Sequence, residues 1–156
     1  AVIIQMTWPG APTVYYGDEA GVCGFTDPDN RRTYPWGHED KELIDFHKAA
    51  IKMHKENEVL RTGSYKQLYS AHNVIAYGRF TSDDAVIVVV NNGEDEIRVN
   101  IPAWETGLAM DDDVEQIMVT FEGGYSTDRQ GYRLKDGILN IGLRKTSATV
   151  LRRLRW

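Results

Sequence analysis

The chain has 156 residues, of which 42% are hydrophobic and 26% are charged, and its formal net charge is −5. This composition is that of a folded globular protein and excludes extended disorder. The mild acidity, without a basic stripe, argues against a nucleic-acid partner. No apolar run reaches the ~20 residues that cross a bilayer, so no membrane partner is expected.

The chain holds a single cysteine, Cys23, which excludes an internal disulfide. Nothing therefore points to an oxidising compartment, and the predicted location is cytoplasmic, with secretion left open. No neighbouring histidine supports Cys23 as a nucleophile, so we interpret it as a small loop residue.

The first stretch predicts a helix end, a strand and a long loop. Residues 1–7 are predicted to be the tail of a helix that Pro9 and Gly10 stop. Residues 13–16 are β-branched and aromatic, which predicts a short buried strand. The polar loop that follows is unusually long for a connection, and such loops are more often functional than merely connecting.

The loop combines carboxylates, guanidinium groups and aromatic rings, which are the groups that proteins commonly use to bind sugars. Its other interpretation is an ordinary turn-rich loop with an internal Asp–Arg ion pair, which composition alone favours. The order of the residues changes that ranking. PG-x-P-x-x-YYG-D-E-x-G runs from Pro9 to Gly21, and DP-x-NR and PW follow it.

This pattern resembles the α-amylase family of glycoside hydrolases (family 13), above all its neopullulanase, cyclomaltodextrinase and maltogenic amylase branch, with amylopullulanases close by. The resemblance implies that the segment is the last strand of a (β/α)8 barrel with the loop leaving it. It also implies a parent enzyme that degrades α-glucans such as starch, pullulan or cyclodextrin.

A complete barrel needs roughly 250 residues, so we expect a C-terminal piece of a larger enzyme. The predicted fold is mainly β: a C-terminal antiparallel Greek-key β-sandwich, preceded by the last β-α unit of a truncated (β/α)8 barrel. Residues 1–61 form the barrel remnant in this division, and residues 62–156 form the sandwich. A barrel strand without neighbours leaves backbone groups unpaired, so residues 1–37 are expected to be weakly protected from hydrogen exchange.

Apolar residues recur at three- and four-residue intervals over residues 41–57, which predicts an amphipathic helix. Asp40 or Glu39 could cap or charge its start. His47 and His54 are seven residues apart, whereas a metal-binding pair more usually sits four apart. We assign both to packing and surface, and predict no metal and no cofactor.

From Ser64 onward the hydrophobic period is two, with turn signals between most segments, which favours an antiparallel sandwich. The run from Ala85 to Val90 is apolar throughout and is predicted to be the central strand, covered on both faces. Asp136-Gly137 predicts a tight hairpin with a two-residue primed turn. The predicted strands are Tyr65–Tyr69, Val74–Phe80, Ala85–Asn91, Ile97–Ile101, Glu115–Thr120, Tyr132–Leu134, Ile138–Ile141 and Ala148–Leu154.

Two features of the sandwich allow alternatives. Residues 111–113 are three aspartates, which could bind Ca²⁺, but three consecutive side chains cannot converge on one ion, so a solvated loop is favoured. Trp104, Tyr125 and Tyr132 could form a carbohydrate platform on the sandwich surface, although single aromatics are more often half-buried packing.

Retaining hydrolysis of an α-glucosidic bond needs two carboxyl groups ~5–5.5 Å apart. The resemblance places the family's catalytic Asp, Glu and Asp before Ala1, and no G-x-R-x-D or N-H-D pattern occurs here. We therefore assign no catalytic residue. Asp18 and Glu19 are adjacent and point to opposite sides of a strand end. With Tyr16, they are interpreted as residues that shape the pocket floor.

The resemblance does carry a substrate contact. In the family, the Asp and Arg of DP-x-x-R reach glucose units on the non-reducing side of the cleaved bond, and here they are Asp27 and Arg31. Arg31 offers a fork of donors and Asp27 accepts from two hydroxyls. Tyr34 and Trp36 could add stacking surface. The expected partners are an α-glucan oligosaccharide and the rest of the barrel; a mutual Asp–Arg ion pair is the alternative.

Three functions stay open from the sequence. The first is the C-terminal part of an α-glucan hydrolase, inactive when isolated. The second is a carbohydrate-binding sandwich that uses surface aromatics. The third is a non-catalytic interaction subunit of the same family.

Overall fold

The computed structural model describes residues 1–154, which form three short layers: helices, a large antiparallel sheet and a two-stranded sheet. Single 3-10 turns occupy Asp18–Ala20, Asp29–Arg31 and Ala103–Thr106. The helices are α1 (Val2–Thr7), α2 (Lys41–Glu56) and α3 (Val59–Thr62), and the strands are β1 (Ser64–Ala71), β2 (Val74–Phe80), β3 (Ala85–Asn91), β4 (Ile97–Pro102), β5 (Asp113–Phe121), β6 (Gly124–Ser126), β7 (Gln130–Arg133), β8 (Ile138–Leu143) and β9 (Ser147–Arg153).

The large sheet runs in the order β1-β2-β3-β9-β5, and both β6 and β7 pair with β5. Strand β9 enters between β3 and β5, so chain order and sheet order differ as in a Greek key. Strands β4 and β8 form the second sheet. The structure is mainly β with antiparallel pairing throughout, which confirms the predicted fold class.

Strand β3 is central and covered on both faces, as its continuous apolar run predicted. Its residues Ile87 and Val89 join the core between the two sheets, whereas Val86 and Val88 join the core between the large sheet and the helices. All four side chains are at most 1% exposed. The sheet is therefore the layer that both cores share.

Most predicted strands are present with shifts of one or two residues at their ends. The predicted hairpin at Asp136-Gly137 is confirmed, because both residues have positive φ, 51° and 75°, as a primed turn requires. Lys135 and Ile138 flank it and exchange two backbone hydrogen bonds of 3.1 and 2.9 Å. Strand β6 was not predicted, since it has only three residues after two glycines.

The predicted strand at residues 13–16 does not form. Within residues 1–154, no strand lies beside it to complete a ladder, so the segment stays outside the sheets. The predicted helix end is present as α1. Its Ile3 and Met6 are buried against the sheet, and Val14 also packs against that core. We therefore expect protection of α1, while weak protection of the residues that follow it up to residue 37 stays a prediction.

Helix α2 begins as predicted. The Asp40 carboxylate accepts a hydrogen bond from the Leu43 backbone N–H at 2.9 Å, which caps the helix. His47 and His54 are both buried, and their Nδ1 atoms pair with the backbone oxygens of Leu43 and Met6. The division into domains at residues 61 and 62 stays a prediction. No helix within residues 1–154 has the length and hydrophobicity that crossing a membrane requires.

Candidate functional site: the 9–39 loop

The candidate site is the loop of residues 9–39, which joins α1 to α2. Its first half turns sharply at Tyr16 and Gly17, whose φ angles are 36° and 84°. A 3-10 turn over Asp18–Ala20 follows, and the Val22 N–H donates to the Gly17 carbonyl at 3.1 Å. The chain therefore reverses here through local hydrogen bonds.

The reversed segment is fixed to the start of α2. Ala20 is only 3% exposed, and its carbonyl accepts a 3.2 Å hydrogen bond from the Asp40 N–H. A side chain at Gly21 would meet the Asp40 side chain at 3.4 Å. The hydrogen bond thus attaches the middle of the loop, at Ala20, to the residue that follows its carboxyl end.

Tyr16, Asp18 and Glu19 lie on this reversed segment. The Asp18 carboxylate accepts a 3.3 Å hydrogen bond from the Tyr15 N–H, so it stabilises the turn itself. Tyr16 is 53% exposed, and its ring lies 5.9 Å from that of Tyr15. Their predicted role in shaping a pocket floor stays a prediction.

The second half of the loop is built around Asp29. Its carboxylate accepts from the Phe25 N–H at 3.2 Å and from the Arg32 Nε and Nη2 atoms at 2.9 and 2.5 Å. The Arg32 hydrogen bond is the main cause that lowers the pKa of Asp29 below its usual value. Gly24 is required because a Cβ there would lie 2.4 Å from the Asn30 Cα.

Sequence reasoning missed the Asp29–Arg32 pair, although the Asp-x-x-Arg spacing is the signal that could have found it. Asp27 and Arg31 form the ion pair that was the alternative interpretation, with Oδ1 and Nε 3.4 Å apart. Their side chains are 67% and 55% exposed, so both keep donors and acceptors free for a ligand.

The same half of the loop also carries exposed aromatic rings. Tyr34 and Trp36 lie 4.6 Å apart between ring centroids, tilted by 51°, and Trp36 is 80% exposed. Phe25, at 90% exposed, is a third ring that the sequence analysis missed; a lone aromatic among polar loop residues was the available signal. The loop presents flat apolar faces beside an exposed cation and carboxylate.

The alternative sites on the sandwich do not assemble. Tyr125 packs on Phe46 on the helix side of the large sheet, whereas Tyr132 packs against the core on the other side. The three rings therefore cannot form one platform, although Trp104 is 48% exposed. The three aspartates at 111–113 pair with Arg133 and Arg153.

A cavity of about 730 Å³ lies elsewhere, between α1, α2 and the ends of β3, β5 and β6. Its lining includes Ile3, Phe46 and Phe121, and it contains no residue of the 9–39 loop. A second hollow of about 460 Å³ is lined by residues 9–13 of the loop together with Ile4, Gln5 and Trp8. Asp27, Arg31 and Trp36 line neither cavity.

Known proteins match part or all of the chain. An amylopullulanase from Thermoanaerobacter thermohydrosulfuricus is 46% identical over 105 residues, which are 60% of this chain and 7% of that protein. A cyclomaltodextrinase from Thermoanaerobacter pseudethanolicus is 42% identical over 94 residues, 59% of this chain and 16% of that protein. The chain spans less than a fifth of the length of these curated relatives. No protein-family model matches it.

The fold also recurs in a solved enzyme. The α-amylase from Geobacillus thermoleovorans, in complex with acarbose, superposes with a TM-score of 0.83 at 24% identity. The match covers 98% of this chain and 32% of that one, so it extends over helices, loop and strands. At this identity the likeness shows the shared fold alone.

Proposed function

We propose, on the premise that this chain belongs to the α-amylase family of glycoside hydrolases (family 13), that it supplies an α-glucan-binding loop and a stabilising β-sandwich to a retaining hydrolase. The chain is homologous to C-terminal regions of α-glucan hydrolases. The finer assignment to the 9–39 loop is our inference. So is the expected cytoplasmic location, which the exposed free thiol of Cys23 suits.

One observation carries the proposal: Asp27, Arg31 and Trp36 are all exposed on one loop whose two ends are attached to packed elements. Arg31 donates and Asp27 accepts, which matches the neighbouring hydroxyls of a glucose unit. The rings of Trp36 and Tyr34 suit the apolar face of a sugar.

The isolated chain is proposed to have no catalytic activity. Retention requires two carboxyl groups ~5–5.5 Å apart that flank the scissile bond. Asp18 and Glu19 are adjacent in one turn, and the Asp18 Oδ2 accepts a hydrogen bond from the Tyr15 N–H. We therefore assign the nucleophile and the acid/base to residues of the longer enzyme, which would cleave α-1,4 or α-1,6 bonds.

An activity assay tests whether the catalytic residues lie outside this chain. It compares the hydrolysis of maltotriose, pullulan and cyclodextrin by the 156-residue chain with that by the longer enzyme that carries it. We expect activity in the longer enzyme and none in the chain. Activity of the chain alone would mean that one of its own carboxylates does the chemistry. Inactivity of both would favour the non-catalytic interaction subunit instead.

Substitution in the longer enzyme tests the loop assignment. Asp27→Asn and Arg31→Met are expected to raise KM for maltotriose about tenfold, because a charge-assisted hydrogen bond is lost in each. Arg133→Met, which removes an equally exposed arginine from the sandwich, is the control and should leave KM unchanged. Equal KM values in all four proteins would remove the loop from the substrate site.

A carbohydrate-binding module remains the second candidate, because Trp104 presents about half of its side chain to solvent. Tyr125 and Tyr132 pack against opposite faces of the large sheet, so the two cannot both join this ring in one platform. Measurable affinity of the chain for cyclodextrin, abolished by Trp104→Ala but kept in Arg31→Met, would favour this function over the first.

A further inference from the structure

A buried arginine joins the large sheet to two helix ends. Arg79 on β2 is 2% exposed, and its Nη1 donates to the Thr7 carbonyl at 2.9 Å while Nη2 donates to the Gly63 carbonyl at 2.8 Å. Thr7 is the last residue of α1, and Gly63 directly follows α3. The guanidinium therefore satisfies carbonyls that helix geometry leaves unpaired, at the negative ends of two helix dipoles.

The same end of α1 is held by aromatic residues of the sheet. The Tyr77 hydroxyl lies 2.5 Å from the Thr7 Oγ1, and neither atom is exposed. The Trp8 ring contacts the rings of Tyr77 and Tyr65, with centroids 5.3 and 4.8 Å apart. Residues 7 and 8, immediately before the 9–39 loop, are thus fixed from several directions.

The charge of Arg79 has no counterion among the described residues. None of the salt bridges formed within residues 1–154 involves it, and its Nε has no hydrogen-bond partner there. Burying a cation in this way is costly, but an apolar side chain here would leave the Thr7 and Gly63 carbonyls without their donors. The arginine therefore joins β2 to the ends of α1 and α3 rather than stabilising the sheet alone.

We propose that Arg79 is a positioning residue for the 9–39 loop. Together with Thr7, Trp8 and Tyr77 it forms a group that we call the loop anchor, which fixes where the loop leaves the sheet. Midway through the loop, the Ala20 carbonyl is attached independently to the start of α2. The loop anchor therefore acts on the first half of the loop, between Trp8 and the attachment at Ala20.

The link between Arg79 and the start of the loop rests on the geometry of their contacts. The effect on substrate binding rests on the proposed function. In the longer enzyme, a displaced loop would bind α-glucan less well before the chemical step, so the anchor would act on KM more than on kcat. Arg79 itself would touch no sugar, because it is buried beneath α1.

Hydrogen exchange on the full 156-residue chain tests the coupling. Arg79→Met is expected to speed exchange at residues 4–8 about tenfold, with little change in β3 and β9. Exchange at residues 4–8 in Arg79→Lys should be faster than in the wild-type chain and slower than in Arg79→Met, since one ammonium group cannot bridge both carbonyls. Thr7→Val, which keeps the side-chain shape, should act in the same direction if Arg79→Met does not fold.

A matched control separates anchoring from general destabilisation. Val89→Ala leaves a cavity in the core between the two sheets. That core lies on the opposite face of the large sheet from the loop anchor. It should speed exchange across the sandwich without singling out residues 4–8. Uniform changes in the Arg79 and Thr7 variants, or no change at all, would overturn the positioning role.

Kinetics of the longer enzyme with maltotriose test the consequence. We expect Arg79→Met to raise KM at least about threefold with kcat within about twofold, and Arg79→Lys to restore part of the loss. An unchanged KM beside a changed exchange pattern would refute the effect on substrate. A wild-type enzyme that hydrolyses no α-glucan would refute the proposed function, while the exchange result would still decide the anchor.

Discussion

The strand-rich region of residues 64–154 and the 9–39 loop differ in how their backbones and side chains are used. In the first, strands pair along their length and the apolar side chains of β3 fill two cores. In the second, short turns replace ladders, and the rings of Phe25 and Trp36 face solvent. The difference teaches that the strands and helices bury their apolar side chains against one another, whereas the loop leaves large aromatic side chains exposed.

The attachments of the loop reduce the conformational freedom that it would lose on binding a ligand. A free segment with exposed aromatics would pay a large ordering entropy on binding. Here Trp8 and Ala20 hold the two sides of the turn, so much of that ordering is already complete. Under the proposed function, the large sheet holds the start of the loop through Tyr65 and Tyr77.

The largest expected effect separates the two regions by stability. Ile87→Ala, at a side chain 1% exposed in β3, should lower the free energy of unfolding by about 2–5 kcal/mol. Phe25→Ala, at a side chain 90% exposed, should change it by about 0.5 kcal/mol or less. Urea unfolding measures both. A loss above ~1 kcal/mol for Phe25→Ala would mean that the loop contributes to the core.

A smaller effect tests the loop anchor through pH. Burial is the main cause that raises the pKa of Tyr77 to about 12, against about 10 for an exposed phenol. The folded chain keeps this proton where the unfolded chain loses it, so the stability is fully present below pH 10 and is lost between pH 10 and 12. The loss amounts to roughly 2–3 kcal/mol.

Urea unfolding across that pH range checks this expectation against Tyr77→Phe, which has no phenol to titrate at this position. The variant should lose less stability between pH 10 and pH 12 than the wild-type chain does. Parallel curves for the two proteins would show that Tyr77 is more accessible to water than its full burial indicates.

A matched pair of glycine substitutions tests how closely the turn before β8 approaches Trp104. Gly137→Ala should cost about 2 kcal/mol or more, because φ is +75° and the new Cβ would lie 2.6 Å from the Trp104 Cβ. Gly107→Ala has a similar φ of +82° but open space, so only the backbone strain of about 1–2 kcal/mol remains. Thermal unfolding compares them, and equal costs would contradict the close approach to Trp104.

The smallest effect concerns the loop alone. Arg32→Gln should raise the pKa of Asp29 toward its usual value, because the Arg32 hydrogen bond is the main cause of its lowering. Titration of the Asp29 carboxyl by NMR measures the shift, and the unfolding midpoint of the chain should stay the same. An unchanged Asp29 pKa would mean that the pair is not formed in solution.

The sandwich was largely predictable from the sequence because its signals are local and regular. The bounds of β3 follow from one continuous apolar run, and the Asp136-Gly137 turn from the positive φ angles that this pair tolerates. The short β6 was missed because glycines hide its period. The strand at residues 13–16 was wrong, because its pattern gives no information on whether a partner strand is present.

The candidate site was predictable only through its family resemblance. Asp27, Arg31, Tyr34 and Trp36 were singled out by the order of their residue types, and their contact with sugar stays a prediction. The Asp29–Arg32 pair and the burial of Arg79 were not predicted. In a strand, an arginine is expected to face water, and only tertiary contacts with α1 and α3 show otherwise.

Native-state hydrogen exchange along the wild-type chain tests the contrast between the two regions most directly. The account predicts slow exchange in α1, α2 and the strands of the large sheet, and fast exchange through most of residues 9–39, with the Asp40 amide that bonds to Ala20 as a protected point. Fast exchange in α1 together with the loop would contradict the loop anchor. Slow exchange throughout residues 9–39 would contradict the claim that the loop is an open contact surface on a rigid scaffold.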